Sequence, residues 1–237
     1  MSNASDPRRA GRKTGGEDAV AERGCPLCGA EGAEDYHADA WRTYLCCEVC
    51  GFVFVPPSHH LSPEAERAEY DRHDNAVDDP GYRRFLERLA APLRERVPVP
   101  ATGLDFGCGP GPALAAMLRE AGYEVAVYDP FYAPDPSVLR PGLDFITATE
   151  VVEHLARPGA ELRRLAGLLR PGGWLGIMTK LVLDRERFAT WHYIRDPTHI
   201  GFFSRTSFRW WAEREGLELQ FAGDDVIFLQ RPNPIRK

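Results

Sequence analysis

Three groups of residues in this 237-residue chain have types and spacings that could do chemistry. The first is a turn, Gly107-Cys108-Gly109-Pro110-Gly111. It follows the apolar stretch Leu104-Asp105-Phe106 and runs at once into a helical pattern, Ala113 to Leu118. Glycines suit a tight turn that a ligand must approach without meeting a Cβ. The carboxyl end of the first strand of an open α/β sheet is also where such folds bind ligands. A dinucleotide turn reads G-x-G-x-x-G. Counted from Gly107 its last position is Pro112, so this helix start is not shaped for close pyrophosphate contact. The next apolar run, Tyr123 to Tyr128, ends in Asp129, whose carboxylate can accept both hydroxyls of a ribose.

The second group is cysteine. Cys25-Pro26-Leu27-Cys28-Gly29 and Cys47-Glu48-Val49-Cys50-Gly51 are two C-x-x-C-G knuckles separated by eighteen residues, the spacing of a four-thiolate zinc site. Each pair offers two thiolates from one turn, and two turns complete a tetrahedron. Four thiolates leave no open position for water, so this zinc is read as structural. Zinc-bound thiols imply a reducing compartment, here the cytoplasm. Cys46 stays open as an alternative ligand to Cys47, or as a packed side chain. Cys108 reads as a small residue inside the glycine turn rather than as a nucleophile.

The third group lies in Phe188 to Ser204, a segment with aromatics, two histidines and an aspartate but no helix or strand periodicity. Such a composition suits a substrate wall, with Trp191, Tyr193, Asp196 and Phe203 as its candidate residues. His199 or His192 could serve as general base with Asp196 orienting one of them. The alternative is structural: Asp196 caps the turn at Pro197 and the histidines bond the backbone. His154, in Glu150-Val151-Val152-Glu153-His154, is a third candidate base or equally a structural cap.

In order, the stretches LDFGCGPG, VYDP, ITATEVVEHL and LRPGGWLGIM resemble the class I S-adenosylmethionine (SAM)-dependent methyltransferases. More narrowly they resemble the bacterial branch acting on quinones and other small molecules. The resemblance covers about residues 64 to 230. It implies an α/β, Rossmann-like seven-stranded sheet with SAM as cofactor. By motif position it assigns SAM to Asp105, Gly107, Cys108, Gly109, Gly111 and Asp129, with Pro130 and Phe131 against the adenine. It places Thr149 and Glu150 beside the sulfonium and makes Tyr70, His73 and Asn75 candidates for a lid over SAM or substrate, with an ordinary capped loop as the alternative. The N/D-P-P-Y place of DNA amino-methyltransferases reads Thr149-Glu150-Val151-Val152 here, so no stacked site for a flipped base is expected. The implied function is methyl transfer to a small molecule. Two alternatives stand beside it: an RNA or protein methyltransferase with the zinc ribbon as reader, and a SAM-binding protein without turnover.

The elements that must position these groups divide the chain into four parts. Residues 1–23 read as a disordered tail, 24–56 as the zinc ribbon, 57–100 as linker and lid helices, and 101–231 as the methyltransferase domain. Ser62-Pro63-Glu64 starts a helix that should reach Tyr70. An amphipathic helix follows Gly81, with Tyr82, Phe85, Leu86 and Leu89 on one face. Near the end, a helix over 207–215 and two strands complete the sheet. The net charge of −6 provides no global basic field for nucleic acid, and the segment between the knuckles is acidic. No apolar run approaches the ~18 residues of a membrane span.

Overall fold

The computed structural model describes residues 22–72 and 76–234. It holds two sheets. The larger has six strands in the order β5-β4-β6-β7-β10-β9. Strands β4 (Thr102–Phe106), β5 (Glu124–Tyr128), β6 (Leu143–Thr149) and β7 (Leu169–Met178) run parallel. The hairpin of β9 (Glu218–Phe221) and β10 (Val226–Gln230) adds to β7 antiparallel. Sequence reading expected seven strands. The segment from Pro130 to Gly142 supplies none, because its four prolines, at 130, 134, 136 and 141, cannot donate to a ladder.

Alternation along the central strands puts core on both faces, as a buried parallel sheet requires. Trp174, Met178, Val226 and Phe228 face α2 (Pro80–Arg96) and α3 (Ala113–Glu120), whose Leu86, Leu89, Leu114 and Leu118 are buried there. Leu175, Ile177, Ile227 and Leu229 face the other way, onto α4 (Pro158–Leu168) and α6 (Arg205–Glu215). Ser204 caps α6 by accepting from Ser207 N at 3.1 Å, and Gly216 ends it at φ +67°.

The smaller sheet has the order β1-β2-β3-β8. Strands β1 (Glu34–Ala38), β2 (Thr43–Cys46) and β3 (Val53–Phe54) come from the cysteine-bearing segment. The fourth strand, β8 (Gly201–Phe202), comes from the far end of the chain, and it pairs Val53 with Phe202 and Phe54 with Gly201. The first knuckle also docks on the start of α4. A Cβ at Gly159 would lie 2.0 Å from Leu27 O, so only glycine permits this approach. Cys25, Cys47 and Cys50 are accordingly buried in the same core as Leu162, Ile177 and Trp211. Two further α-helices stand among the described residues: α1 (Pro63–Tyr70), as the sequence predicts, and α5 (Arg185–Ala189).

Candidate active site

A cavity of ≈ 240 Å³ opens at the carboxyl ends of β4, β5 and β6. The glycine turn after β4 forms its floor. Gly107 has φ +73°, and a Cβ there would lie 2.4 Å from Val151 Cγ2, so the turn admits no side chain at this position. Gly107 N donates to Tyr128 O at 2.7 Å, which ties the turn to β5. Asp129 follows β5 with its carboxylate buried. Its Oδ1 accepts from Phe131 N (2.8 Å) and Tyr132 N (3.1 Å), and its Oδ2 accepts from Gly109 N (3.0 Å). Thr149 and Glu150 end β6 at the cavity wall. Thr149 Oγ1 is buried with no hydrogen-bond partner among the described residues, as a side chain facing a polar ligand would be.

Helix α1 covers the opening. Tyr70 packs its ring 5.8 Å from Phe131 and 5.3 Å from His154, and its hydroxyl donates to Glu66 Oε1 at 2.7 Å. Tyr132 OH donates to Asp71 Oδ1 at 2.6 Å, holding the end of α1 to the loop after β5. A smaller cavity of ≈ 110 Å³ lies on the other side of His154. Glu66 and His154 line both, and His60, Pro197, Thr198 and Ile200 complete the smaller one.

Behind the wall sits a buried acid network. Tyr193 OH donates to Glu153 Oε1 and lies 3.4 Å from Glu150 Oε2, while Thr179 Oγ1 donates to Glu153 Oε2 at 3.0 Å. Burial, then the neighbouring Glu153 carboxylate, pushes Glu150 up to about 8. Burial pushes Glu153 up to about 7 against the stabilising hydroxyls. His199 Nδ1 lies 2.7 Å from Tyr193 O and His154 Nδ1 3.1 Å from Thr198 O. A carbonyl only accepts, so each imidazole carries a proton on Nδ1. Burial, then the nearby His154, holds His199 down at about 4, so it is neutral.

Gly107, Cys108, Gly109, Asp129, Pro130, Phe131, Thr149, Glu150, Tyr70 and His154 all line the main cavity. Asp105 and Gly111 do not. Asp105 lies beneath the turn, where its carboxylate accepts from Thr147 Oγ1 at 2.8 Å and burial pushes it up to about 6. His73 and Asn75 lie outside the described residues. The 188–204 segment contributes Pro197, Thr198 and Ile200 to the smaller cavity, but the expected wall residues Trp191, Tyr193, Asp196 and Phe203 line neither cavity. His192 is exposed and bonds Lys180 Nζ at 2.7 Å. Trp191 packs against Phe188 and Tyr193, and Phe203 is buried against Phe52 and Phe208. Tyr193, Asp196 and His199 stand behind His154 instead. Asp196 caps its turn, as the structural alternative had it, with Oδ1 accepting from Thr198 N and Oγ1 at 2.9 and 2.6 Å. Sequence reasoning missed Glu66, Tyr82 and Tyr132. Tyr82, on the apolar face of α2, also lines the cavity.

The four knuckle cysteines also converge. Sγ–Sγ distances are 3.6 Å for Cys25–Cys50 and 3.5 Å for Cys28–Cys47, and the four sulfurs lie within 4.8 Å of one another. Zinc–thiolate bonds of about 2.3 Å in a tetrahedron put sulfurs about 3.8 Å apart, so these residues fit a zinc ion. Ala30 N points at Cys28 Sγ from 3.4 Å, the backbone support that a thiolate takes. Cys46 stands outside the cluster, in β2, which leaves Cys47 as the fourth ligand.

Residues 77–220, more than half of the chain, match a sequence family described as a methyltransferase domain. The chain belongs to that family. No curated protein matches this methyltransferase significantly in sequence. Similar solved structures include the 1,6-didemethyltoxoflavin-N1-methyltransferase of Burkholderia thailandensis, with bound 1,6-didemethyltoxoflavin and S-adenosylhomocysteine. It is 18% identical over 85% of this chain and 100% of that chain, with a TM-score of 0.49. An O-methyltransferase family protein from the same organism is 16% identical, covering 72% and 64%, with a TM-score of 0.46. A SAM-dependent methyltransferase from Thermotoga maritima is 18% identical, covering 70% and 97%, with a TM-score of 0.41. None of these likenesses bears on the acceptor of this methyltransferase. No helix among the described residues is long and apolar enough to cross a membrane.

Proposed function

We propose that this methyltransferase uses SAM to methylate a small molecule, with His154 as general base and a structural zinc on Cys25, Cys28, Cys47 and Cys50. The observation that carries the reading is the pair of cavities meeting at His154. The larger is bounded by the glycine turn, Asp129 and Thr149, and the smaller, beside His154, would take an acceptor. When bound, SAM supplies a methyl group activated by its sulfonium. Asp129 would take the ribose hydroxyls, since Oδ2 accepts only one backbone N–H. Pro130 and Phe131 would flank the adenine, and Thr149 Oγ1 gains a partner. His154 Nε2 would accept the proton that leaves the acceptor, so that the acceptor's freed electron pair could take the methyl group as its bond to sulfur breaks and that bonding pair returns to the sulfur. Tyr70, Phe131 and Tyr132 exclude water above the reacting atoms.

The division at about residues 24–56, 57–100 and 101–231 then separates scaffold, lid and catalytic domain, with the tail before it. Free thiols on zinc fit a reducing, cytoplasmic setting. Nucleic acid is a poor partner. Arg83, Arg88, Arg163 and Arg164 each pair with a carboxylate, and Asp35 on the hairpin is exposed. The test is transfer of labelled methyl from SAM into cell extract fractionated into small molecules, RNA and protein. Label in the small-molecule fraction, lost with His154→Gln, is the expected result. Label in RNA or protein alone would overturn the acceptor class, and undiminished transfer by His154→Gln would overturn the base.

A further inference from the structure

Arg42 belongs to the cysteine-bearing hairpin, yet its guanidinium is buried against a turn 150 residues away in sequence. It is 8% exposed. Nε donates to Tyr44 OH at 2.9 Å. Nη2 donates to Ile194 O at 2.6 Å and Asp196 O at 2.7 Å, and Nη1 to Pro197 O at 3.1 Å. Asp39 balances the charge, its Oδ2 accepting from Tyr44 OH at 2.7 Å. A planar fork of fixed donors gathers three carbonyls of one turn, a task that a lysine ammonium cannot copy.

The next carbonyl in that turn, Thr198 O, is the acceptor for His154 Nδ1–H. Ile200 N then donates to Glu153 O at 2.8 Å, and β8 follows directly. The turn is thus held on one side by Arg42 and on the other by the residues at the cavity wall. We infer that Arg42 is a positioning residue of the methyltransferase: by fixing the 194–198 carbonyls it sets the tautomer and ring orientation of His154. Zinc, which orders the hairpin, acts on the reacting centre through the same contact. This rests on the reading of His154 as base, in that only there does the tautomer affect catalysis.

The hydrogen-bond argument has a direct spectroscopic readout that needs no acceptor. Two-bond nitrogen–proton correlation spectra of the full-length, zinc-loaded protein with ¹⁵N-histidine distinguish Nδ1–H from Nε2–H imidazoles. His154 is assigned by loss of its signal in His154→Gln. In the wild type, at a pH where the ring is neutral, His154 is expected as a single Nδ1–H tautomer. In Arg42→Lys that signature is lost to a mixture of tautomers, with zinc content unchanged and SAM affinity within about twofold of wild type. Tyr44→Phe, which removes one of the Arg42 acceptors but leaves its three carbonyl contacts, shifts the mixture less and keeps the inference testable if Arg42→Lys does not fold. An unchanged His154 signature in a folded Arg42→Lys, or in Tyr44→Phe if only that variant folds, would overturn the positioning role. Failure of the base reading is separate. It would show as a shifted tautomer in the Arg42 variant alongside undiminished transfer by His154→Gln.

Discussion

The two sides of the cavity are built on different principles. The cofactor side is local: Gly107, Asp129 and Thr149 are the ends of three neighbouring strands, each set by the few residues around it. The proposed acceptor side is assembled from distant pieces. Arg42 meets Ile194, Glu153 meets Tyr193, and β3 pairs with β8. A site made of strand ends tolerates change elsewhere in the chain. A site made of long-range contacts depends on every unit that contributes, including the cysteine-bearing hairpin.

Zinc removal should separate the two sides most strongly. Structural zinc contributes apparent binding energies of about 10–16 kcal/mol in small zinc domains, so chelation should unfold the hairpin. Limited proteolysis is expected to cut near residues 25–55 first, with transfer abolished and SAM binding by calorimetry retained in weakened form. If transfer survives in fully zinc-free protein, the acceptor side does not depend on the hairpin.

Gly107→Ala should damage the cofactor side alone. The Cβ clash with Val151 and the left-handed backbone cost on the order of 1–3 kcal/mol, read as a loss of SAM affinity of about fivefold or more with zinc content unchanged. Asp129→Asn should weaken SAM binding by about 1.5–3 kcal/mol through lost charge-assisted bonds. The same change loosens the loop that Asp129 holds through Phe131 N and Tyr132 N, so a lower melting temperature should accompany it.

The acid network gives a pH dependence of known sign. Asp105, Glu153 and Glu150 are raised to about 6, 7 and 8, so the folded state keeps protons that the unfolded chain releases. The stability they contribute is complete below about pH 4 and is lost as pH rises through 6 to 8. The melting temperature should therefore fall between pH 5 and 9, by roughly 2–4 °C for each kcal/mol lost, and less steeply in Glu153→Gln. A melting temperature that rises across this range would contradict the burial of these acids. The smallest effect belongs to His192, which is exposed and bonded only to Lys180 among the contacts described above. His192→Ala should change transfer by less than about twofold.

How much could be read from sequence follows the same division. The glycine turn, Asp129 and Thr149-Glu150 were legible because a tight turn and a strand end impose residue types at fixed short spacing. The knuckles were legible because four thiolates need two C-x-x-C turns. His154 was legible only as one of three histidines, since nothing in sequence says which reaches the cavity. The 188–204 segment was legible only in part: Pro197, Thr198 and Ile200 line the smaller cavity, while its aromatics face the core, because residues without periodicity describe a core-facing loop as well as a substrate wall. Phe203 packs on Phe52 of the cysteine-bearing segment, and Trp191 packs on Phe188, Tyr193 and Phe202. Arg42 left no signal at all, because a buried guanidinium is recognised by three carbonyls, and carbonyls have no sequence. The missing seventh strand was written in the prolines between Pro130 and Pro141, but family resemblance outweighed them.

The most direct test of the account is a crystal structure of the methyltransferase with S-adenosylhomocysteine. It is expected to show both ribose hydroxyls on Asp129, the thioether sulfur beside Glu150, and His154 Nε2 facing that sulfur across the junction of the two cavities. A nucleoside bound elsewhere, or a sulfur pointing away from His154, would contradict it.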